Sequence, residues 1–195
     1  MSRPLVPGLV AEGESDHDFL RPVIFRFLKE LLIENPAADF DLSETLSSTC
    51  VKKHGKERFT EAATKLGKRC HLVFVHADHN EAHEAVALKT VIACRTVVLV
   101  PERETESWML ADPDAFAKVR GADLGSLPKD PAAAERVAEP KAMLAKVLRP
   151  AGITRPTDYF GRLGEDISLQ VLGRIPAFAR WADETKEALK GLGYL

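Results

Sequence analysis

The sequence has few of the features that mark membrane, secreted or strongly charged proteins. No apolar run approaches the roughly 20 residues needed to cross a bilayer. The opening stretch "MSRPLVPGLVAEGES" has one arginine and is interrupted by Pro7 and Gly8, which is not the pattern of a signal peptide. A net charge of −2 gives no general attraction to nucleic acid or membranes, so any basic contact surface must be local. We therefore expect a globular cytoplasmic protein with no membrane partner.

Cysteines and the common catalytic loops are also scarce. The three cysteines, Cys50, Cys70 and Cys94, are far apart and form no C-x-x-C pair, which predicts small buried side chains in a reducing compartment. The sequence contains no G-x-x-x-x-G-K-[ST], no G-x-G-x-x-G and no G-x-S-x-G. These absences disfavour nucleotide binding by such loops and a serine nucleophile on a strand-to-helix turn.

Strand-like and helix-like segments alternate over the first hundred residues. The runs at 4–11, 40–51, 70–77 and 96–102 predict strands, the second at a sheet edge because it is polar. Helical spacing of apolar residues follows Ser15, a candidate N-cap, and recurs at about 57–68 and 80–92. The alternation predicts an α/β fold with a parallel sheet flanked by helices. We expect residues 1–104 to form this core and residues 105–195 to form a helical region packed on it.

Acidic and basic residues follow the predicted strands, where a parallel sheet collects ligands at the carboxyl ends of its strands. Glu12 follows the first strand, and Asp78 follows the third, together with His76, His79 and Asn80. The basic residues Lys52, Lys53 and Lys56 follow the second, and Glu102, Glu104 and Glu106 follow the fourth. In this topology, carboxylates and a basic loop face one crevice.

The chemistry of this set fits a hard divalent cation. Mg²⁺ takes oxygen ligands, keeps several waters and usually needs only one or two protein carboxylates, which Glu12 and Asp78 could supply. The three lysines could hold a phosphate backbone, and a metal-bound water could attack a phosphodiester.

Ordinary structural roles remain open for the same residues. Glu12 and Asp78 could favour or cap the start of a helix, and the lysines could form a solvated surface. A softer ion such as Zn²⁺ or Mn²⁺ could instead use His79 and His83, which are four residues apart.

Several motifs resemble those of Toprim domains. "LVAEGESDHDFLRPVIFRFL" resembles the first motif, a glutamate and glycine after strand one, and "LVFVHADHN" looks like the D-x-D motif after strand three. "ETESWMLADPDAF" and the tail "YFGRLGEDISLQVLGRIPAFARW" are similar to one Toprim-like family of unknown function, marked by E-[AS]-W-x-L-A-D. That family is related to the Toprim nucleases of the overcoming-lysogenisation-defect type. The resemblance covers most of the chain.

The resemblance implies a Toprim-like fold, binding of Mg²⁺ or Mn²⁺, and action on phosphodiesters of DNA or RNA. Glu12 matches the motif glutamate, Asp78 the second acid of D-x-D, and Glu106 the acid of the tryptophan motif. It also implies a role in bacterial anti-phage or mobile-element systems, in some members beside an ATPase partner protein.

The sequence departs from the Toprim pattern at two positions. His76 stands where the first acid of D-x-D is expected, and Asn80 stands where a third acid would be. Imidazole suits softer ions, so weaker Mg²⁺ binding or use of Mn²⁺ is one expectation. We predict a metal-dependent nuclease or related phosphodiester-processing enzyme, with metal ligands among Glu12, His76, Asp78, Asn80 and Glu106. The alternative is a catalytically degenerate Toprim-like module that binds nucleic acid or a partner protein such as an ATPase.

Overall fold

A computed structural model describes residues 3–35, 38–49 and 56–195 of the chain. The strands in these residues are β1 Arg3–Leu5, β2 Pro7–Ala11, β3 Phe40–Leu42, β4 Leu46–Thr49, β5 Leu72–His76 and β6 Arg95–Leu99. The helices are α1 Glu14–Glu34, α2 Lys56–Gly67, α3 Ala82–Ala87, α4 Thr105–Met109, α5 Pro140–Leu148, α6 Phe160–Asp166, α7 Leu169–Leu172 and α8 Pro176–Gly191. Short 3₁₀ turns join several of them.

Four strands form a parallel sheet in the order β4-β2-β5-β6. The central pair is in register with Pro7 opposite Leu72 and Val10 opposite Val75. β1 and β3 form a separate parallel pair. The predicted strands at 4–11 and 40–51 are therefore each divided in two, and the second lies at an edge of the sheet, as its polarity predicted.

Both faces of the sheet are covered, which explains why its strands read as continuous apolar runs. Along β5, Leu72 and Phe74 join one buried cluster, whereas Val73 and Val75 join another on the opposite face. α2 and α3 cover the second face. α1 and the C-terminal helices cover the first, with α8 packed on β6 and α6 on α1. The predicted fold class is confirmed: an α/β structure with a parallel sheet flanked by helices and a helical C-terminal region.

The C-terminal region contributes the largest side chains of the first cluster. Trp181 of α8 lies with its ring centroid 5.5 Å from that of Phe74 in β5 and 4.9 Å from that of Phe27 in α1. Trp108 and Phe178, whose ring centroids are 5.3 Å apart, extend the same aromatic group. One core thus joins residues from both of the predicted regions.

A buried carboxylate ties the C-terminal region to the end of the sheet. Glu135 accepts hydrogen bonds from the Trp108 indole Nε1 at 3.0 Å and from the backbone N–H groups of Glu102 and Ala177 at 3.2 and 3.3 Å. Buried carboxylates are tolerated when their lone pairs are satisfied in this way. The segment before α5 is therefore anchored to the end of the sheet and to α8.

Two local expectations differ from the structure. α1 begins at Glu14 with Gly13 as its N-cap, rather than after Ser15. The helix expected at about 80–92 is a succession of a 3₁₀ turn at His79–Glu81, α3 and a second turn at Leu88–Thr90. Among the described residues, no helix is long and apolar enough to span a membrane.

Candidate functional site

The carboxyl ends of β2 and β5 bring the two principal candidates to one edge of the sheet. Glu12 directly follows β2, and Asp78 lies two residues beyond β5. α4 follows β6 after a five-residue connection and carries Glu106 on its first turn. Glu12 is exposed, Asp78 is half-buried and Glu106 is buried.

The electrostatic environment of Asp78 shows that acids meet at this edge. Burial raises the pKa of Asp78, and the negative charges of Asp16 and Glu12 raise it further. His76 and Lys141 act in the opposite direction. Nearby like charges and removal from water both disfavour the ionised carboxyl. Asp78 therefore holds its negative charge at a cost that a bound cation would relieve.

Glu106 is influenced by some of the same charged residues as Asp78. Burial raises the pKa of Glu106, while a backbone hydrogen bond at this residue and the charge of Lys141 oppose the rise. Asp16 and Glu104 add negative charge nearby and raise the Glu106 pKa. Glu106 and Asp78 thus share two charged neighbours, Asp16 and Lys141.

Lys141 supplies positive charge beside these acids. Its ammonium donates a hydrogen bond to the Glu104 carboxylate at 2.8 Å. Burial by itself would lower the pKa of Lys141, but Glu104, Glu106 and Asp78 raise it overall. Lys141 stands on the first turn of α5, so the C-terminal region contributes directly to the site.

His76 is buried at the end of β5 and belongs to a hydrogen-bonded chain. Its Nε2 lies 2.9 Å from the Thr105 hydroxyl oxygen, and that hydroxyl donates to Asp16 Oδ1, also at 2.9 Å. The chain joins three elements: β5, the start of α4 and the first turn of α1. The other ring nitrogen, Nδ1, is buried without a hydrogen-bond partner among the described residues.

Neither acid is a helix cap through a side-chain hydrogen bond at the N-cap position described for its helix. Asp78 precedes the 3₁₀ turn at His79–Glu81 in the N-cap position, but its side chain makes no cap hydrogen bond. The N-cap of α1 is Gly13 rather than Glu12. Asp16 does lie in the first turn of α1, where a helix favours negative charge.

A cleft with a volume of about 630 Å³ opens beside Asp78. Its lining combines Asp78, Asn80 and Glu104 with Arg103 and Arg136. Asn80 is exposed in the 3₁₀ turn after Asp78. A cleft that joins acidic groups to guanidinium groups can accept both a cation and an anionic ligand.

The side chains at this edge could bind a divalent cation only if water molecules supply some of its ligands. In the part of the chain that the structure describes, no three histidine, cysteine, aspartate or glutamate side chains are grouped closely enough to hold one ion. Mg²⁺ and similar ions do not require three protein ligands, because waters and substrate oxygens complete the coordination. A raised Asp78 pKa and the unpartnered Nδ1 of His76 fit a site of this kind.

Glu102 and His79 line the same cleft as Asp78, whereas the predicted basic loop falls outside the described residues. Glu102 is exposed, with its carboxylate 3.5 Å from the Arg180 guanidinium. His79 and His83 are both exposed and do not share one α-helix, because His79 lies in the preceding 3₁₀ turn. Lys52 and Lys53 lie outside the described residues, as does the side chain of Lys56 at the start of α2.

Sequence reasoning missed three members of the site. Asp16 lies four residues after Glu12, in the first turn of α1, where an acid is expected for the helix alone. Thr105 lies inside the tryptophan motif, and Lys141 follows Pro140 at the start of α5. The signal that the sequence offers is the closeness of Asp16 to Glu12, four residues earlier.

Comparisons of the chain with protein-family models, with curated proteins and with solved structures found no match.

Proposed function

We propose that the protein is a Mg²⁺- or Mn²⁺-dependent nuclease, or a related phosphodiester-processing enzyme, of the Toprim type. The observation that carries the proposal is the position of Glu12 and Asp78 at the carboxyl edge of a parallel sheet, with Asp16 near enough to raise the Asp78 pKa. Ligand sites of open α/β sheets lie at this edge. The sequence motifs that resemble Toprim domains contain the same acids.

The chain's own residues divide into two roles. Glu12 and Asp78 would bind the ion directly, with His76 beside them. Glu106 and Asn80 would contact it through bound waters. The chemistry that a bound divalent ion would supply there is activation of a water and stabilisation of the leaving oxygen of a phosphodiester. Lys141, held by Glu104, would offset the negative charge that accumulates near the acids.

The nucleic-acid substrate needs basic contacts near the acids. Arg103 and Arg136 line the cleft that contains Asp78 and can contact phosphate oxygens. The predicted basic loop with Lys52, Lys53 and Lys56 is a second source of phosphate contacts. Changing these three lysines to alanine should weaken DNA or RNA binding, most strongly at low salt, because phosphate contacts dominate such affinity.

A cleavage assay tests the proposal. The purified protein is incubated with single- and double-stranded DNA and RNA in Mg²⁺ and in Mn²⁺, beside Glu12→Gln and Asp78→Asn. Each substitution should lower the cleavage rate by about 100-fold or more, since metal-based stabilisation of the transition state amounts to several kcal/mol.

Two substitutions on α8 are matched controls. Glu187→Gln and Asp183→Asn remove exposed carboxylates that pair with Lys190 and Lys186 within that helix. Both should cleave at the wild-type rate. Cleavage that persists unchanged in Glu12→Gln and Asp78→Asn would show that a contaminant or another site is responsible.

A second candidate function is a catalytically degenerate Toprim-like module that binds nucleic acid or a partner protein such as an ATPase. It is favoured by His76 in place of an acid and by the lack of a three-ligand group among the described residues. Calorimetric titration with Mg²⁺ and Mn²⁺ separates the two. Binding that is lost in Asp78→Asn supports the enzyme, and no binding of either ion supports the module.

A further inference from the structure

The chain of hydrogen bonds from Asp16 through Thr105 to His76 determines which ring nitrogen of His76 carries a proton. A threonine hydroxyl has one proton to donate. Thr105 donates it to Asp16 Oδ1 at 2.9 Å, where a carboxylate oxygen accepts. The contact of 2.9 Å between Thr105 Oγ1 and His76 Nε2 is then a hydrogen bond only if Nε2 is the donor. His76 therefore has its proton on Nε2.

This assignment leaves Nδ1 of His76 with a free lone pair when the ring is neutral. Nδ1 is buried and has no hydrogen-bond partner among the described residues, while the residue as a whole is 2% exposed. A buried nitrogen that accepts no hydrogen bond is costly unless a ligand uses it. Asp78 lies two residues further on, beyond the same end of β5.

We propose that Asp16 and Thr105 are positioning residues that hold His76 as the Nε2-protonated tautomer, so that its Nδ1 acts as a nitrogen ligand, beside Asp78, for a divalent cation. The inference rests on the proposed function and specifies its metal preference. A carboxylate that orients a metal-binding histidine through a hydrogen bond is a common arrangement. In this protein Thr105 lies between the Asp16 carboxylate and the His76 ring. A nitrogen ligand favours Mn²⁺ over Mg²⁺.

The first test reads the tautomer without any metal. Long-range ¹H–¹⁵N spectra of the histidine rings at pH 8 distinguish protonated from unprotonated nitrogens, and the spectrum of His76→Gln identifies the His76 signals among the six histidines. We expect Nε2 to be protonated and Nδ1 unprotonated in the wild type and in Thr105→Ser. Thr105→Val, which cannot accept from Nε2, should give a mixture of tautomers. A proton on Nδ1 in the wild type would overturn the proposal.

The second test measures cation affinity by calorimetry. The wild type should bind Mn²⁺ about 10-fold more tightly than Mg²⁺. Thr105→Val should weaken Mn²⁺ binding by about 10-fold or more and Mg²⁺ binding much less, and Thr105→Ser should restore the wild-type affinity. The control is Thr96→Val, which removes a buried hydroxyl that donates to the Cys94 carbonyl at the opposite end of β6. Equal Mn²⁺ affinity in Thr105→Val and wild type would overturn the proposal.

The outcomes also separate this inference from the proposed function. Mg²⁺-dependent cleavage without any Mn²⁺ preference, and without an effect of Thr105→Val, overturns the role of His76 alone. Failure of the wild type to bind either ion overturns both. Asp16→Asn adds an independent check, because the asparagine amide can donate to Thr105 and reverse the chain, which should shift the His76 proton toward Nδ1.

Discussion

At the scale of single residues, the site combines groups that are costly to bring together. Asp78 is partly withdrawn from water and lies near Asp16 and Glu12, which have the same charge. Glu106 is 6% exposed and also has its pKa raised by burial. Clusters of perturbed carboxyls are typical of functional sites, where stability is reduced in favour of binding or catalysis. Removing one of these charges should therefore stabilise the metal-free protein.

Asp78→Asn should raise the melting temperature in metal-free buffer at pH 8, by about 2 °C for a chain of this length. Because the folded-state pKa of Asp78 is raised, the folded state binds more protons than the unfolded state between the two pKa values. The free energy of unfolding of the wild type therefore falls as pH rises through that window. The advantage of Asp78→Asn should disappear below the ordinary aspartate pKa of 3.8.

Thermal unfolding followed by circular dichroism at pH 8 and at pH 3 measures this difference. Asp183→Asn on the surface of α8 is the matched control, and its melting temperature should differ little from that of the wild type. A lower melting temperature for Asp78→Asn at pH 8 would mean that the Asp78 carboxylate stabilises the fold, contrary to the charge arrangement described above.

For single residues, the sequence predicted the candidates that follow strands. It did not predict the helix residues that form hydrogen bonds with them. Glu12 and Asp78 were identifiable because each directly follows an apolar run. Asp16 and Thr105 lie in α1 and α4, and the hydrogen bonds that join them to His76 depend on how those helices pack against the sheet. The packing of helices is determined by many small apolar contacts, which a local sequence pattern does not predict.

At the scale of elements, the close approach of α6 to α1 positions the first turn of α1 near the site. Gly164 of α6 lies so near α1 that an added Cβ would be 2.4 Å from the Phe19 carbonyl oxygen and 2.7 Å from Pro22 Cγ. Arg26 donates a hydrogen bond to the Gly164 carbonyl at 2.9 Å. α1 continues past Pro22 to Glu34, as the apolar stripe predicted.

Gly164→Ala should lower the free energy of unfolding by about 2–3 kcal/mol, because the methyl group must push α6 away from the α1 backbone. Gly161→Ala, one turn earlier on the same helix, is the control, since its added Cβ would be 3.8 Å from the Asp18 carbonyl oxygen, an ordinary contact. Urea denaturation of both variants measures the difference. Equal stability of the two variants would show that the helices can separate without cost.

At the scale of the whole molecule, the sheet and the C-terminal helices share one core. The first face of the sheet, with Leu9, Phe74 and Val97, is buried partly by Trp181 and Phe178 of α8. Lys141 reaches the acids of the sheet edge from α5, and the hydrogen bonds of Glu135 fasten the segment before it. The helical region is therefore part of both the core and the candidate site.

A fragment of residues 1–104 should fail to fold into a cooperative structure, because it exposes the apolar face that the helices after residue 104 cover. Near-ultraviolet circular dichroism and a urea titration of the fragment test this, with the full chain as the reference. A sharp unfolding transition of the fragment would show that the predicted Toprim-like core is stable without the C-terminal region.

The sequence by itself determined the order of the elements, the parallel sheet and the positions of Glu12 and Asp78 at its edge. These features follow from local periodicity and from the rule that parallel strands end together. Only the tertiary structure decided that His76 is joined to Asp16 through Thr105 and that Lys141 faces the acids. Those contacts link residues 29 to 89 positions apart in the chain, and packing between elements, rather than local pattern, brings such residues together.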